Sequence, residues 1–242
     1  MSRILLIIPA YNEAQNIDHV IQNIIRNYPQ YDYVIVNDGS TDHTYDICNK
    51  RGYNVLNLSV NLGIGGAVQA GYLYAKRNHY DIAVQFDGDG QHDVAYVKDV
   101  IEPILQGRAD VVVGSRFVKK EGFQTTSSRR MGISLLSLFI KICTGKRIYD
   151  VTSGFRAANS RFIDVYGMDY PRDYPEPEAL VIAMVYGGTV CEVPVVMKER
   201  QGGTSSINLK RSIYYMIKVS LAIFVRRLSY GVRREKKSEE KK

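Results

Sequence analysis

The chain has no tryptophan, three cysteines and four histidines among its 242 residues, and it lacks any long uninterrupted apolar run. Each shortage excludes something. Cys48, Cys143 and Cys191 are odd in number and widely spaced, which fits neither a disulfide framework nor a zinc knuckle and points to a reducing cytoplasm. His19, His43, His79 and His92 fall into no metal-ligand spacing and read as surface or helix residues. No segment reaches the roughly 18 uncharged apolar residues that a spanning helix needs. The run Ile4–Ile8 is too short for the apolar part of a signal peptide and reads as a strand. What is present is ordinary for a globular protein, 45% hydrophobic and 24% charged, with tyrosine abundant at 18 residues. The length is enough to bury a substantial core.

Charge is unevenly placed. The net value is +7, and residues 226–242 hold eight Lys/Arg against three Glu. Such a tail suits an anionic lipid surface. Nucleic acid is not expected as a partner, because the net basic charge is mostly in one tail and no recognition module is visible.

Strand and helix patterns alternate through the first half. Apolar runs at Ile4–Ile8, Tyr33–Asn37, Val55–Leu58, Ile82–Phe86 and Val111–Gly114 read as strands. Helical patterns lie between them at Ala14–Arg26, Thr41–Arg51, Gly65–Arg77 and Val94–Leu105. This spacing predicts an α/β fold, a Rossmann-like and mostly parallel sheet with flanking helices. Ligands of such sheets sit beyond the carboxyl ends of the strands. The polar stretches "PAYNE", "NDGSTD", "NLGIGGA" and "DGDGQH" all fall at those ends, so they are expected to share one crevice. In the second half, Gly122–Arg130 reads as a basic loop, Met131–Cys143 as an apolar helix and Asp150–Arg156 as a turn-rich stretch. "YPEPE" follows, and then short strands at Thr189–Pro194 and Val195–Glu199.

The chemistry of the crevice starts from Asp87 and Asp89, one residue apart at a strand end. Two such carboxylates can reach one divalent cation, and magnesium takes the rest of its shell from water and phosphates. A cation bridging a diphosphate stabilises it as a leaving group. Gln91 can add an oxygen, and Gly88 and Gly90 let the backbone approach phosphates closely. Asp38 lies outside the following helix and suits a base or ribose donor, while Ser40, Thr41 or Asp42 caps that helix. "NLGIGGA" follows the third strand rather than the first, so it reads as a tight turn into a helix and not as a dinucleotide fingerprint.

"IPAYNE", "VNDGSTD", "NLGIGGA", "DGDGQH", "GSRF", "DVTSGFR" and "ERQGGTSSI" stand in the order seen in family 2 glycosyltransferases, over about residues 3–208. Within that family the chain resembles the polyprenyl-phosphate glycosyltransferases, the group of dolichyl-phosphate mannose synthase. "YPEPE" and "SIYYMIKVSLAIF" resemble bacterial enzymes that charge undecaprenyl phosphate with a sugar for cell-wall polysaccharide decoration. The resemblance implies a GT-A fold over residues 1–206, a nucleotide-sugar donor, Mg2+ or Mn2+, and inverting transfer at the cytoplasmic face of the membrane. By it, Pro9, Tyr11, Glu13, Asp38 and Gly88 hold the nucleotide-sugar, and Arg200 reaches its diphosphate. Asp87, Asp89 and Gln91 are the metal and diphosphate residues, and Arg116, Arg130 and Ser134 hold the acceptor phosphate. Asn37 departs from the pattern, since many relatives carry Asp there. Asp150 is expected with Asp87 and Asp89 among the catalytic residues, a structural role being the alternative, and Glu176 and Glu178 stay open as acceptor or sugar contacts.

A phosphate acceptor agrees with the residues. Its second pKa of about 6 leaves it ionised at neutral pH, so it needs cations to place it rather than a general base. Arg116, Arg129 and Arg130 supply guanidinium forks. By family likeness the expected donor is UDP-N-acetylglucosamine, then UDP-glucose, then GDP-mannose. Two other readings are a polysaccharide glycosyltransferase acting on a sugar hydroxyl and a non-catalytic nucleotide-sugar-binding subunit. Ile213–Val225 is apolar except for Lys218 and Ser220. As a helix it covers about 20 Å against a hydrocarbon core of about 30 Å, too short to span. Residues 207–230 are therefore expected as amphipathic interface helices, with Lys218 snorkelling to headgroups, and 231–242 as a charged tail. The resemblance further implies a small membrane-protein partner docking on 207–230, because such relatives usually carry spanning helices or rely on one.

Overall fold

The structure, a computed structural model, describes residues 2–119, 127–197 and 216–228. Seven strands form one sheet: β1 (Ile4–Ala10), β2 (Asp32–Asn37), β3 (Val55–Asn57), β4 (Ile82–Gln85), β5 (Val111–Ser115), β6 (Arg156–Asn159) and β7 (Val190–Pro194). Their order is β3-β2-β1-β4-β6-β5-β7. The helices are α1 (Ile17–Asn27), α2 (Thr44–Arg51), α3 (Gly63–Arg77), α4 (Val97–Leu105), α5 (Ser127–Thr144), α6 (Ser160–Met168) and α7 (Pro175–Val185). Residues 216–228 form a further helix, α8.

The near-continuous apolar strands reflect a sheet covered on both faces. Leu5, Ile7, Val34 and Val36 face the cluster built by α3, α5, α6 and α7. Leu6, Ile8, Ile35 and Val84 face α1 and α4 on the other side. Helix α3 lies very close to the sheet: a Cβ on Gly71 would come within 2.2 Å of Ile7 Cγ2. Only glycine fits that contact.

All strand pairings are parallel except those of β6, which runs antiparallel to both β4 and β5. The sequence reading misses β6, because "RAAN" carries no apolar run of strand length. Its reversal brings the turn at 150–155 to the edge where β4 and β5 end. Two further expectations are corrected, at 122–130 and 195–199, and "YPEPE" finds its place. Helix α5 is described from Ser127 onward, so Arg129 and Arg130 stand in a helix rather than in a loop. The two prolines of "YPEPE" open α7, where proline is tolerated because the first amides need no helical partner. Residues 195–197 are not a strand, and 198–199 lie outside the described residues.

Candidate active site

The loops after β1, β2, β3 and β4 meet at one edge, tied together by local hydrogen bonds. Asn12, in the left-handed region at φ 56°, accepts Thr41 N–H at 2.9 Å through its side-chain oxygen. Ser40 Oγ accepts Asn12 N–H at 3.0 Å, and Thr44 Oγ1 accepts Glu13 N–H at 2.9 Å. Asp42 Oδ1 accepts Thr44 N–H at 2.9 Å at the start of α2. Asp38 is buried, and one of its oxygens accepts Leu62 N–H at 2.7 Å, joining the second loop to the third. Beside it, Asn37 pairs with Asn57 at 2.6 Å.

The edge holds a cavity of about 420 Å3, lined by Pro9, Tyr11, Glu13, Asp38, Asn61, Gly63, Ile64, Asp87, Gly88, Asp89 and Glu176 among others. Seven of the expected site residues thus come together. A smaller depression of about 320 Å3, lined by Tyr31, Tyr33 and Tyr80, lies at the start of β2 and carries none of them. Gln91 is half-buried and is not among the lining residues; its amide donates to Asp89 Oδ1 at 3.0 Å.

His92 is buried and stands outside any helix, contrary to its reading as a surface or helix residue. Its ring stacks on Phe155, with centroids 4.9 Å apart and planes at 19°. Nδ1 accepts Asp87 N–H at 3.0 Å. In the neutral ring the proton therefore sits on Nε2, which lies 3.5 Å from Asp87 Oδ2. Burial is the main cause that pushes the imidazole down to about 4, against the pull of Asp89, so the ring is neutral at pH 7. On the other side, a Cβ on Gly154 would stand 2.9 Å from Asp87 Oδ2. Asp87 thus sits between an imidazole and Gly154, where any side chain would have to push its carboxylate aside. Sequence spacing could have flagged His92, which stands three residues after Asp89, and "SGF" at 153–155.

Asp87 and Asp89 are the residues suited to a divalent cation. No group of three or more His, Cys, Asp or Glu forms a full cage among the described residues. The pair would leave the other positions of a hard cation to water and phosphate oxygens, which fits Mg2+ and the similar Mn2+.

The structure does not bring Asp150 into this crevice. Asp150 is fully buried and takes both arms of Arg116, from Nη2 at 2.7 Å and Nε at 2.8 Å, and the Arg116 amide at 3.0 Å. Its own amide donates to Glu192 at 2.8 Å. Arg116, expected at the acceptor phosphate, is itself buried and turned to this carboxylate, as a buried charge requires. Arg130 is exposed, its guanidinium 5.3 Å from the Phe117 ring, and Ser134 lies exposed one turn on along α5. Arg200 lies outside the described residues.

The two glutamates of "YPEPE" diverge. Glu176 lines the cavity. Glu178 accepts from Arg226 of α8 at 3.1 and 3.2 Å, and Arg226 also reaches Asp169 at 2.7 Å. Lys218 bonds Asp173 at 2.6 Å, which corrects the expectation that it reaches outward to headgroups. Val219 and Ile223 bury one side of α8 in the core, while Ile217, Leu221, Phe224 and Leu228 are exposed. Among the described residues no helix is long and apolar enough to cross a membrane.

A profile of the family described as Glycosyl transferase family 2 matches residues 5–166. The UDP-N-acetylglucosamine--dolichyl-phosphate N-acetylglucosaminyltransferase of Methanococcus voltae is 34% identical over 212 residues, 79% of this chain and 84% of that one. The polyprenol monophosphomannose synthase of Mycolicibacterium smegmatis is 28% identical, over 90% of this chain and 86% of that one. Among solved structures, glucosyl-3-phosphoglycerate synthase from Mycobacterium tuberculosis in complex with Mn2+, UDP and glucosyl-3-phosphoglycerate aligns with a TM-score of 0.69 at 21% identity, covering 93% of this chain and 80% of that one. With a family profile over well more than half its length and the sheet of a GT-A protein, the chain belongs to glycosyltransferase family 2.

Proposed function

We propose that the protein transfers one sugar, with inversion, from a nucleotide-sugar to undecaprenyl phosphate at the cytoplasmic face of the membrane. The observation that carries this reading is the pairing of a cavity holding Asp38, Asp87 and Asp89 with a helix that offers exposed arginines beside exposed apolar residues. Relatives named for polyprenol, undecaprenyl phosphate and dolichyl phosphate point the same way.

In this reading Asp38 and the first loop hold the nucleoside, with Pro9, Tyr11, Glu13 and Gly88 around it. Asp87, Asp89 and Gln91 hold Mg2+ or Mn2+, which when bound neutralises charge on the departing diphosphate. Asp87 is kept ready for this by the neutral His92 and by the space at Gly154. Arg130 and Ser134, with Arg129, place the acceptor phosphate, and Arg200 reaches the donor diphosphate. The attacking oxygen is already ionised, so no general base is required. Arg116 and Asp150 act as a buried strut under this region rather than as reacting groups.

Membrane contact follows from the helices. Met131, Leu135, Leu138 and Ile142 form an exposed stripe on α5, and α8 carries its own. Met216 Sδ lies 3.8 Å from where a Gly132 Cβ would stand, so the two helices are neighbours. Their exposed residues suit the lipid interface, together with a small membrane-protein partner. UDP-N-acetylglucosamine is the first donor to try.

The test is a screen of radiolabelled UDP-N-acetylglucosamine, UDP-glucose and GDP-mannose with undecaprenyl phosphate and Mn2+, reading label in extracted lipid. Lipid-phosphate sugar from one donor is the expected result. Label only in free sugar or in an added oligosaccharide would overturn the acceptor assignment.

A further inference from the structure

Glu176 lines the crevice but arrives from the opposite half of the sheet to the four donor loops. Its surroundings hold it with little freedom. Pro175 and Pro177 flank it and are both buried, and Tyr174 before them sits in the left-handed region at φ 51°. The buried Arg156 donates to the Glu176 carbonyl, to Ser153 O at 2.7 Å and to Val151 O at 3.0 Å. One guanidinium therefore ties the first turn of α7 to the turn that carries Gly154 against Asp87. The place of Glu176 relative to Asp87 is set by that tie.

We infer that Glu176 reads the donor's sugar, accepting hydrogen bonds from its ring hydroxyls or amide, and so decides which nucleotide-sugar is used. This rests on the proposed use of a nucleotide-sugar. A carboxylate suits this duty better than any other in the cavity. Diphosphate oxygens are anionic acceptors and would be repelled by it, whereas sugar hydroxyls are neutral donors. The carboxylate takes no hydrogen bond from another residue's side chain among the described residues, while Glu178 two positions on is committed to Arg226. Burial raises the Glu176 carboxyl, Arg156 opposes that, and Asp87 adds to it. Such a group gains from neutral donors that replace water. Rigidity matters equally, because discrimination between epimers depends on a group that does not follow the misplaced hydroxyl.

The full chain with Mn2+ is titrated calorimetrically with UDP and GDP, and with UDP-N-acetylglucosamine, UDP-N-acetylgalactosamine, UDP-glucose, UDP-galactose and GDP-mannose. The expected wild-type result is a preference for one sugar over its epimer. In Glu176→Gln and Glu176→Ala, nucleotide affinity should stay within about twofold while that preference falls by about tenfold or more. Glu176→Asp, which keeps the charge and withdraws it by one methylene, should also lose the preference, and serves if the others fail to fold. Equal binding of epimers by the wild type, an intact preference in folded variants, or a parallel loss of UDP affinity would each overturn the inference. Binding is read without lipid, so a chain that discriminates sugars yet never charges undecaprenyl phosphate would sink the acceptor reading alone.

Discussion

From β3 to β4 every strand runs parallel and each hands the crevice a loop at its carboxyl end, whereas from β6 to β7 the sheet contains a reversed strand and contributes through turns and helix starts. The first half holds Asp38, Asp87 and Asp89 on short loops that hydrogen-bond one another. The second half holds Gly154, Glu176 and the Arg116–Asp150 pair on a framework of buried ions and close backbone. The difference teaches that the parallel half presents groups for chemistry, while the mixed half sets where those groups stand.

That division can be broken most sharply at Asp89. Asp89→Ala removes a presented carboxylate, and transfer should fall by about a thousandfold or more while the melting curve stays near wild type. Near-normal turnover in the folded variant would dismiss the cation role. The mirror experiment lies in the other half. Asp150→Ala strands the buried Arg116 and should lower stability by about 3–5 kcal/mol in urea titrations. A variant of unchanged stability but lost activity would move Asp150 back among the reacting groups. Gly154→Ala tests the join between the halves. Its methyl group must displace Asp87, so Mn2+ affinity in the presence of UDP should weaken by about 10–100-fold, with only a modest change in the melt. Undiminished affinity would mean that Asp87 is free to move aside. The smallest effect is expected at exposed Arg130. Arg130→Ala should raise the KM for undecaprenyl phosphate by about tenfold and leave UDP binding unchanged. If calorimetry showed the nucleotide affinity collapsing instead, this part of α5 would belong to the diphosphate.

The same two halves differ in how well the sequence announces them. Apolar strands followed by polar loops placed β1 to β5 to within a few residues, and the crevice followed from where those loops fall. Asp38, Asp87 and Asp89 were legible because a carboxylate after a buried strand has few uses inside a core. β6 is not legible, because Arg156, Ala157 and Ala158 are buried by neighbours that are distant in sequence rather than by their own apolarity. Asp150 and Arg116 look like exposed polar residues until the fold pairs them, since a buried ion pair leaves no trace in local periodicity. His92 was misjudged for the same reason: its partner is a backbone amide and its packing surface is Phe155, sixty-three residues on.

The reversed strand also bears on how the site comes into being. Ile82 of β4 pairs with Asn159 of β6, and Asp87 meets Gly154, so the grip on the first carboxylate closes a loop of some seventy residues. Contacts of such sequence separation form late, because the chain entropy they cost is recovered only once the surrounding sheet exists. A ribosome-bound chain that has emerged only through β5 can pair β1, β2, β3 and β4 but has no Gly154, no Glu176 and no α7. Its loops would stand in nearly the right order around an unfinished crevice. Competence to grip Asp87 is therefore acquired at the end of folding rather than built up strand by strand.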